Sequence, residues 1–485
     1  MTSYASAISS RNGTWGRVLN LGKTEQREHP DMPLSPSGLI APSGALSAPL
    51  LEEESSSYRV AWFQQNVDHF NAYVSQTFMQ RYLVDDSAFK PGGPIFAFTG
   101  AEGGDVTHIV GSYATPAAVA KSLGGCVLYM EARYFGDSIP AEDVAAPEGI
   151  GLLSVENILR DYVALLSAYR DDVCGAACTA SKVVTFGGSM AGTLSALMRL
   201  RAPWLVDAAW ASSTPLLGFV GEPSLDQYAW RRQVTRNWHD IGSAACVEAV
   251  RSGFTALSIA NASEVALAFG TCEAPFEGNR DDVRNIAWSS LESNGEFVYP
   301  ASRSAIPAHC KAMVNGTGSK GGLAVFAALL NRPGARSCLN LTKHATPTAA
   351  GRAWNYLACT EIIHPIGADN ASFFPPGEWT VAGLNQSCMH TFGVQPRPTA
   401  LPTAYGLQHV RRLAKTASRI MFAYGTRDPW AQLGVGFHNL SASLPVVAID
   451  GGSHCADVEP RRADDTPAML AAREQEGRIM RVWLS

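Results

Sequence analysis

Three side chains, those of Ser189, Asp428 and His454, could work together in one catalytic site. A serine hydroxyl is a poor nucleophile at neutral pH, so it needs a histidine that takes its proton and later gives it to the leaving group. A carboxylate orients that histidine and stabilises its charged form. The three residues therefore predict acyl transfer through a covalent intermediate on Ser189.

Ser189 stands between a predicted strand and a predicted helix. The apolar run 182–186 predicts a buried strand, two glycines permit a tight turn, and residues 190–200 predict a helix. This layout is typical of the nucleophile elbow of α/β-hydrolases, in which the acid and then the histidine follow the serine along the chain. The small residue two places after the serine is usually glycine but here is Ala191, so the match is incomplete. An ordinary glycine-rich loop is the alternative.

Asp428 and His454 are the acid and the base that this order selects. Asp428 follows a predicted strand at 419–424, and catalytic groups gather at the carboxyl ends of strands in open α/β sheets. Only two histidines come after it: His438 falls in a predicted helix, whereas His454 follows a predicted strand at 445–449 through a glycine turn. The geometry favours His454. The alternative for Asp428 alone is a turn-forming Asp-Pro pair.

The oxyanion of a tetrahedral intermediate needs two hydrogen-bond donors. In α/β-hydrolases one donor is the backbone N–H after the nucleophile, which is Met190 here. The second comes from the loop after an early strand, and Ala101 or Glu102 in the loop after residues 94–98 could supply it. A plain glycine turn explains that loop equally well.

Strands and helices alternate along two separate parts of the chain. This alternation predicts an α/β fold with a parallel sheet, as in α/β-hydrolases. It covers residues 58–215 and 405–485, which we predict to form one domain split by an inserted, mainly helical cap at 216–404. Residues 1–57 are rich in serine and proline and are predicted to be poorly ordered.

Composition excludes several classes of function. The 485 residues are 46% hydrophobic, enough for one large core or two moderate ones. The net charge is −5 and no run is rich in lysine or arginine, which excludes nucleic acid as a partner. No apolar stretch approaches the roughly 18 residues of a membrane span. The cysteines lack the paired spacing of zinc sites, and neither a metal nor a cofactor is predicted.

Cysteines and glycosylation sequons cluster in the same part of the chain. Six of the ten cysteines lie between Cys246 and Cys388. The sequons of that region begin at Asn261, Asn315, Asn340, Asn370 and Asn385. Together they predict a secreted or lysosomal/vacuolar protein with disulfides and glycans. A cytosolic protein with free thiols is the alternative, and the lack of a signal-peptide apolar core in residues 1–57 disagrees with secretion.

Several sequence blocks match one peptidase family. They are FQQNVDHF at 63–70, EARYFGDS at 131–138, FGGS at 186–189, ACTE at 358–361, FGVQPRP at 392–398, DPW at 428–430 and SHCAD at 453–457. On these blocks the chain resembles the serine exopeptidase family of lysosomal Pro-X carboxypeptidase, dipeptidyl peptidase II and thymus-specific serine protease. The likeness extends over about residues 58–484.

The resemblance implies an α/β-hydrolase fold with a helical cap, the triad Ser189, Asp428 and His454, and cleavage after proline. It also implies a cap disulfide between Cys359 and Cys388. A proline pocket is implied to include Trp430, while Thr193 and Val458 replace larger family residues, and Glu361 in the cap could line the cleft. The smaller pair predicts a roomier pocket with a weaker grip on proline.

The sequence therefore predicts a serine exopeptidase of short peptides, most similar to Pro-X carboxypeptidase. A dipeptidyl-peptidase or thymus-specific-type peptidase with relaxed proline preference is the first alternative, because the direction of cleavage depends on cap charges that a sequence does not place. An esterase and a catalytically silent binding protein are more distant alternatives. A homodimer is left open.

Overall fold

One mixed sheet of eight strands organises the computed structural model, with helices on both of its faces. The structure describes residues 58–100, 104–140, 147–275, 278–316, 322–330, 338–341 and 348–485. The predicted disorder of residues 1–57 lies outside this part of the chain. Within it, no helix is long and apolar enough to cross a membrane.

The sheet has the order β1-β2-β4-β3-β5-β6-β7-β8. Its strands are β1 (Arg59–Asn66), β2 (Thr77–Asp85), β3 (Ile95–Thr99), β4 (Cys126–Met130), β5 (Val183–Gly188), β6 (Ala208–Ser212), β7 (Ile420–Gly425) and β8 (Val446–Ile449). The pairs β1/β2 and β2/β4 are antiparallel and all other pairs are parallel. The predicted α/β-hydrolase fold is thereby confirmed.

Helices connect the parallel strands and fill the long segment between β6 and β7. They are α1 (Ala114–Ser122), α2 (Pro147–Ile150), α3 (Val155–Ala168), α4 (Ser189–Arg201), α5 (Ala229–Asn237), α6 (Ala244–Ile259), α7 (Ala262–Phe269), α8 (Gly278–Glu296), α9 (Ile306–Gly316), α10 (Leu323–Leu330), α11 (Ala349–Thr360), α12 (Val381–Phe392), α13 (Ala400–Tyr405), α14 (Val410–Thr416) and α15 (Pro467–Leu484). Local capping fixes many of their starts: Ser154 Oγ accepts from the third N–H of α3, and Thr466 does the same for α15.

Strand β3 shows how the two faces of the sheet are covered. Ile95 and Ala97 point into the apolar cluster shared with α3 and α4, whereas Phe96 and Phe98 point into the cluster shared with α1 and α15. All four are fully buried, and burying a phenylalanine contributes about 1.5–3 kcal/mol. A strand covered on both faces is continuously apolar, which is why the sequence predicted it.

The predicted insertion, residues 216–404, is called the cap below. Its helices bury their own apolar cluster around Trp238, Phe254 and Phe326, and that cluster includes Trp430 and Leu433 from the segment after β7. Disulfides join Cys246 to Cys310, Cys272 to Cys338, and Cys359 to Cys388, and a fourth links Cys174 to Cys178. The cap core therefore reaches the loop that carries Asp428.

Two parts of the structure differ from the sequence predictions. The antiparallel hairpin of β1 and β2 and the short strand β6 were not predicted, because β1 mixes polar and apolar residues and β6 is rich in alanine. The predicted helix around His438 is wrong. That segment is an irregular loop, and Gly436 within it has a φ of +91°, which a helix does not accept.

Candidate active site

Ser189 lies at a strained turn between β5 and α4. β5 ends at Gly188, and α4 begins at Ser189, whose φ is +57°. A left-handed backbone at a residue with a Cβ costs about 1–2 kcal/mol and is kept only where the surrounding structure imposes it. The Ser189 side chain is partly exposed. The local geometry is that of a nucleophile elbow.

Close packing explains the glycines around this turn. A Cβ on Gly187 would lie 2.5 Å from the carbonyl carbon of Ala191, and one on Gly192 would lie 2.7 Å from the carbonyl oxygen of Ser212. Both distances are far inside van der Waals contact. Ala191 itself is accommodated because its Cβ faces a glycine, and its carbonyl accepts a hydrogen bond from Thr99 Oγ1 over 2.7 Å.

Asp428 both shapes its own loop and holds His454. The residue follows β7 and is fully buried. Its Oδ1 accepts the N–H of Trp430 over 2.9 Å, which starts the short helix Pro429–Leu433, and lies 3.0 Å from Nδ1 of His454. A carboxylate only accepts hydrogen bonds, so the proton of the neutral imidazole sits on Nδ1 and Nε2 keeps its lone pair.

His454 reaches its position through a tight glycine turn after β8. A Cβ on Gly425 would lie 2.1 Å from the carbonyl oxygen of Gly452, so the two loops touch backbone to backbone. The imidazole is only 1% exposed. Its ring centre lies 6.0 Å from that of Trp430 and 5.7 Å from that of Phe297. Aromatic packing therefore fixes the plane of the base.

The residues beside Ser189 and His454 contact each other. A Cβ on Gly188 would lie 2.6 Å from Sγ of Cys455, whose N–H donates to Ser213 Oγ over 2.9 Å. Among the described residues, Nε2 of His454 has no hydrogen-bond partner, Ser189 included. Hydrogen bonds between nucleophile and base are often long in ligand-free enzymes and shorten when substrate binds. The two turns are adjacent, with the hydrogen bond unformed.

The sequence analysis missed a carboxylate at the free edge of His454. Oε1 of Glu296, the last residue of α8, lies 3.4 Å from Nε2 and accepts the indole N–H of Trp430 over 2.7 Å. Glu296 is 7% exposed. No motif marks this residue, because it comes close to His454 only through the docking of the cap on the loop after β7.

Burial and charge act in opposite directions on the pKa of His454. Burial lowers this pKa, the carboxylates of Asp428 and Glu296 raise it, and the net result lies well above the ordinary value. Cys455 would add to the rise only as a thiolate, but burial raises the pKa of its thiol to about 11. Burial also raises the pKa of Glu296 to about 7, although His454 and Trp430 oppose the rise.

Comparison with known proteins places this site in a family. Residues 65–476 match the family described as serine carboxypeptidase S28. The chain belongs to this family. It is therefore a serine-type peptidase, and the predicted family and enzyme class are confirmed.

Named relatives match the peptidase over most of its length. Lysosomal Pro-X carboxypeptidase of Homo sapiens is 29% identical over 470 residues, 92% of either chain, and thymus-specific serine protease of Mus musculus is 28% identical over 463 residues, 87% of either chain. Among solved structures, peroxisomal α/β-hydrolase Lpx1 of Saccharomyces cerevisiae matches with a TM-score of 0.39 and 11% identity, covering 88% of this chain and 90% of that one.

The predicted oxyanion donors of this serine peptidase are only partly described. Met190 is buried in the first turn of α4, where backbone N–H groups have no carbonyl partner within the helix. Ala101 and Glu102 lie outside the described residues. Just after them, Asp105 pairs with Arg81 over 2.6 Å, and Arg81 also pairs with buried Glu131 over 2.6 Å. These ion pairs anchor the end of the candidate oxyanion loop.

The predicted pocket residues of the peptidase are not all brought together. Trp430 packs against His454, as described above. Thr193 is buried below Ser189, with its Oγ1 2.6 Å from Oγ1 of Thr214. Val458 lies in the apolar cluster of α1 and α15, apart from Trp430, because the turn after His454 directs its side chain to the other sheet face.

Glu361 anchors the cap rather than contacting the triad. Its Oε2 accepts the N–H of Val155 over 2.7 Å at the start of α3, and its Oε1 pairs with Arg397. Negative charge is favourable at a helix N-terminus. In the cap, Trp354 lines a small apolar cavity together with Met190 and Leu194.

The site contains no evident place for a metal ion. Across the described ranges, no three histidine, cysteine or acidic side chains are grouped so that they could hold one.

Proposed function

We propose that this chain is an exopeptidase that cleaves short peptides near a terminus after proline, with Ser189, His454 and Asp428 as its catalytic triad. One observation carries the triad: the hydrogen bond between Asp428 and His454 lies at the carboxyl ends of β7 and β8, beside the strained serine turn. The name of the Pro-X carboxypeptidase relatives supports cleavage after proline.

The first half of the reaction forms an acyl-enzyme. Ser189 Oγ attacks the carbonyl carbon of the scissile bond while Nε2 of His454 takes the hydroxyl proton. The Asp428 carboxylate stabilises the resulting imidazolium through Nδ1. The N–H of Met190 donates to the oxyanion. His454 then protonates the leaving amine, and the C–N bond breaks.

The second half releases the acyl group. A water molecule gives its proton to Nε2 of His454 and attacks the ester carbonyl, and the collapsing intermediate returns Ser189 to its hydroxyl form. The cap, which packs its core against Trp430, limits access to the site and so favours chain ends over internal bonds. This is the physical basis for proposing an exopeptidase.

Relaxed proline preference is the second candidate. Ring burial supplies much of the discrimination for a pyrrolidine. Trp430 offers one aromatic wall, but the buried hydroxyls of Thr193 and Thr214 lie close to the serine turn. The relationship to thymus-specific serine protease supports the same candidate. A dipeptidyl peptidase, an esterase and a silent binding protein are outcomes that the experiment below distinguishes.

One peptide tests both the direction of cleavage and its specificity. We expect Ala-Pro-Ala-Pro-Phe to lose its C-terminal Phe, as followed by mass spectrometry. Loss of Ala-Pro would instead identify a dipeptidyl peptidase, and equal cleavage of Ala-Ala-Ala-Ala-Phe would show relaxed preference. The Ser189→Ala variant must lose both cleavage and labelling by a fluorophosphonate. Undiminished peptide hydrolysis by this variant would refute the mechanism.

A lysosomal or secreted location is part of the proposal. Several relatives are named lysosomal, and the described residues contain four disulfides. Sequon asparagines at 261, 370 and 439 are exposed. Expression in a secreting cell line should yield a glycosylated protein whose mass falls after treatment with an endoglycosidase.

A further inference from the structure

The end of α8 is clamped to the two loops that carry Asp428 and His454. Nδ2 of Asn237 donates to the carbonyls of Gly295 and Arg427, each over 2.7 Å. The N–H of His454 donates to the carbonyl of Glu296 over 3.4 Å. The backbone of Glu296 is therefore held in place by both catalytic loops, and its side chain has a defined direction.

We propose that Glu296 is a positioning residue for the catalytic histidine: its carboxylate holds the Nε2 edge of His454 in the resting enzyme and must release it before Ser189 can use it as a base. This inference rests on the proposed function, because it takes His454 to be the base. Nε2 is the nitrogen that Asp428 leaves free, and Glu296 Oε1 lies 3.4 Å from it.

Two carboxylates on one imidazole favour its charged form. With Asp428 at Nδ1 and Glu296 at Nε2, an imidazolium has a negative partner at each N–H. An imidazolium has no lone pair and takes no proton from a serine. Loss of the Nε2 proton to solvent therefore has to precede attack, and the negative charge of Glu296 moves that loss to higher pH.

The groups around Glu296 support this effect on protonation. Trp430 donates to the same Oε1, which favours the carboxylate. On α8 itself the nearest charged group is Glu292, which is paired with Arg231 of α5 over 2.9 Å. On the histidine loop, Cys455 is a neutral thiol at pH 7. Among these neighbours, Glu296 is the carboxylate that faces Nε2.

A charge-removing variant tests the role directly. In Glu296→Gln the amide oxygen can still accept from Trp430, while the negative charge is lost. We expect the acidic limb of kcat/KM against pH to move down by about one to three pH units. Asp281→Asn is the matched control, because this residue lies on the same helix with a half-exposed side chain paired to Arg284, and its limb should not move.

A second variant covers the case in which the glutamine protein does not fold. Glu296→Asp keeps the charge but shortens the side chain by one methylene, so it should move the acidic limb in the same direction by a smaller amount. Unfolding midpoints are measured for each variant. An acidic limb that stays at the wild-type pH in the folded variants would overturn the proposal, even if overall activity falls.

The readout also separates this inference from the proposed function. Fluorophosphonate labelling measures acylation of Ser189 without peptide binding, and its rate is followed against pH. A wild-type enzyme that labels with an acidic limb, together with an unchanged limb in Glu296→Gln, rejects the role of Glu296 and keeps the triad. A wild-type enzyme that neither labels nor cleaves peptides rejects the triad and, with it, this inference.

Discussion

Asp428 Oδ1 and His454 Nδ1 are 3.0 Å apart although 26 positions separate the two residues in the sequence. The contact selects the imidazole tautomer, because the carboxylate requires a proton on Nδ1. In Asp428→Asn the amide group can donate to Nδ1 and so favour the tautomer with its proton on Nε2. We expect kcat to fall by about 10⁴-fold, as in other serine peptidases whose triad aspartate is replaced by asparagine.

The control for this variant is Asp450→Asn. Asp450 is exposed on the turn after β8 and accepts from Thr426 Oγ1 over 3.3 Å, so its charge can be removed near the site without touching His454. Steady-state kinetics and circular dichroism should show normal activity and fold for this control. A similar loss of kcat in both variants would contradict an orienting role for Asp428.

The Gly187–Ala191 approach gives a second prediction. In Gly187→Ala the new Cβ would lie 2.5 Å from the carbonyl carbon of Ala191, and neither backbone segment can move without displacing the serine turn. Overpacking of this kind costs about 1–3 kcal/mol. We expect a lower urea midpoint together with slower fluorophosphonate labelling of Ser189.

Gly111→Ala is the matched control for this steric argument. Nothing lies within 4 Å of a Cβ built at Gly111, and its φ is not positive. This variant should keep the wild-type midpoint and labelling rate. If the two alanine variants behaved alike, close packing at the serine turn would not be the cause of the glycine requirement.

Much of the fold could be predicted because burial on both sheet faces leaves a strong mark in sequence. The core strands β3, β4, β5 and β7 are short apolar runs bounded by turns, and each was predicted to within about two residues at either end. The hairpin of β1 and β2 was not predicted. Its exposed face carries Val60, Trp62 and Gln64, which follow no simple polar-apolar alternation.

The site was predictable only where chain order restricts it. The order of serine, acid and histidine, with each residue after a strand, leaves few choices. Glu296 follows no such rule, because it comes from the cap and meets His454 through tertiary packing. The side-chain direction of Val458 was equally hidden, since a turn after His454 decides which sheet face the residue reaches.

The cap disulfide Cys359–Cys388 supports a third prediction. It closes a loop of 29 positions, whereas Cys174–Cys178 closes one of 4. The entropy that a cross-link removes from the unfolded chain grows with loop length, to about 3.6 kcal/mol for the longer loop and about 1.9 kcal/mol for the shorter. Replacing both cap cysteines by alanine should therefore lower the unfolding free energy more than replacing the other pair.

Urea unfolding of the two double variants under oxidising conditions measures this difference. The comparison is internal, since each variant removes one disulfide and adds two alanines. An equal or smaller loss for the cap pair would show that loop entropy does not dominate its contribution.

Glu476 gives a prediction about stability and pH. It is fully buried on α15, and burial together with the neighbouring Asp457 carboxyl raises its pKa well above the ordinary value, although Arg473 opposes the rise. A group whose pKa is raised on folding adds stability that is present at low pH and is lost as pH rises toward the folded pKa. We therefore expect the protein to unfold at lower urea concentration at pH 7.5 than at pH 5.

Glu476→Gln should reduce this dependence, because the amide N–H donates to Asp457 at every pH and no longer titrates. The expected result is a higher urea midpoint at pH 7.5 and little change at pH 5. Glu474→Gln is the control on the same helix, since its side chain is 70% exposed and contacts Arg478 at the surface. If both variants retained the wild-type difference between the two pH values, the titration of Glu476 would not be what weakens the fold as pH rises.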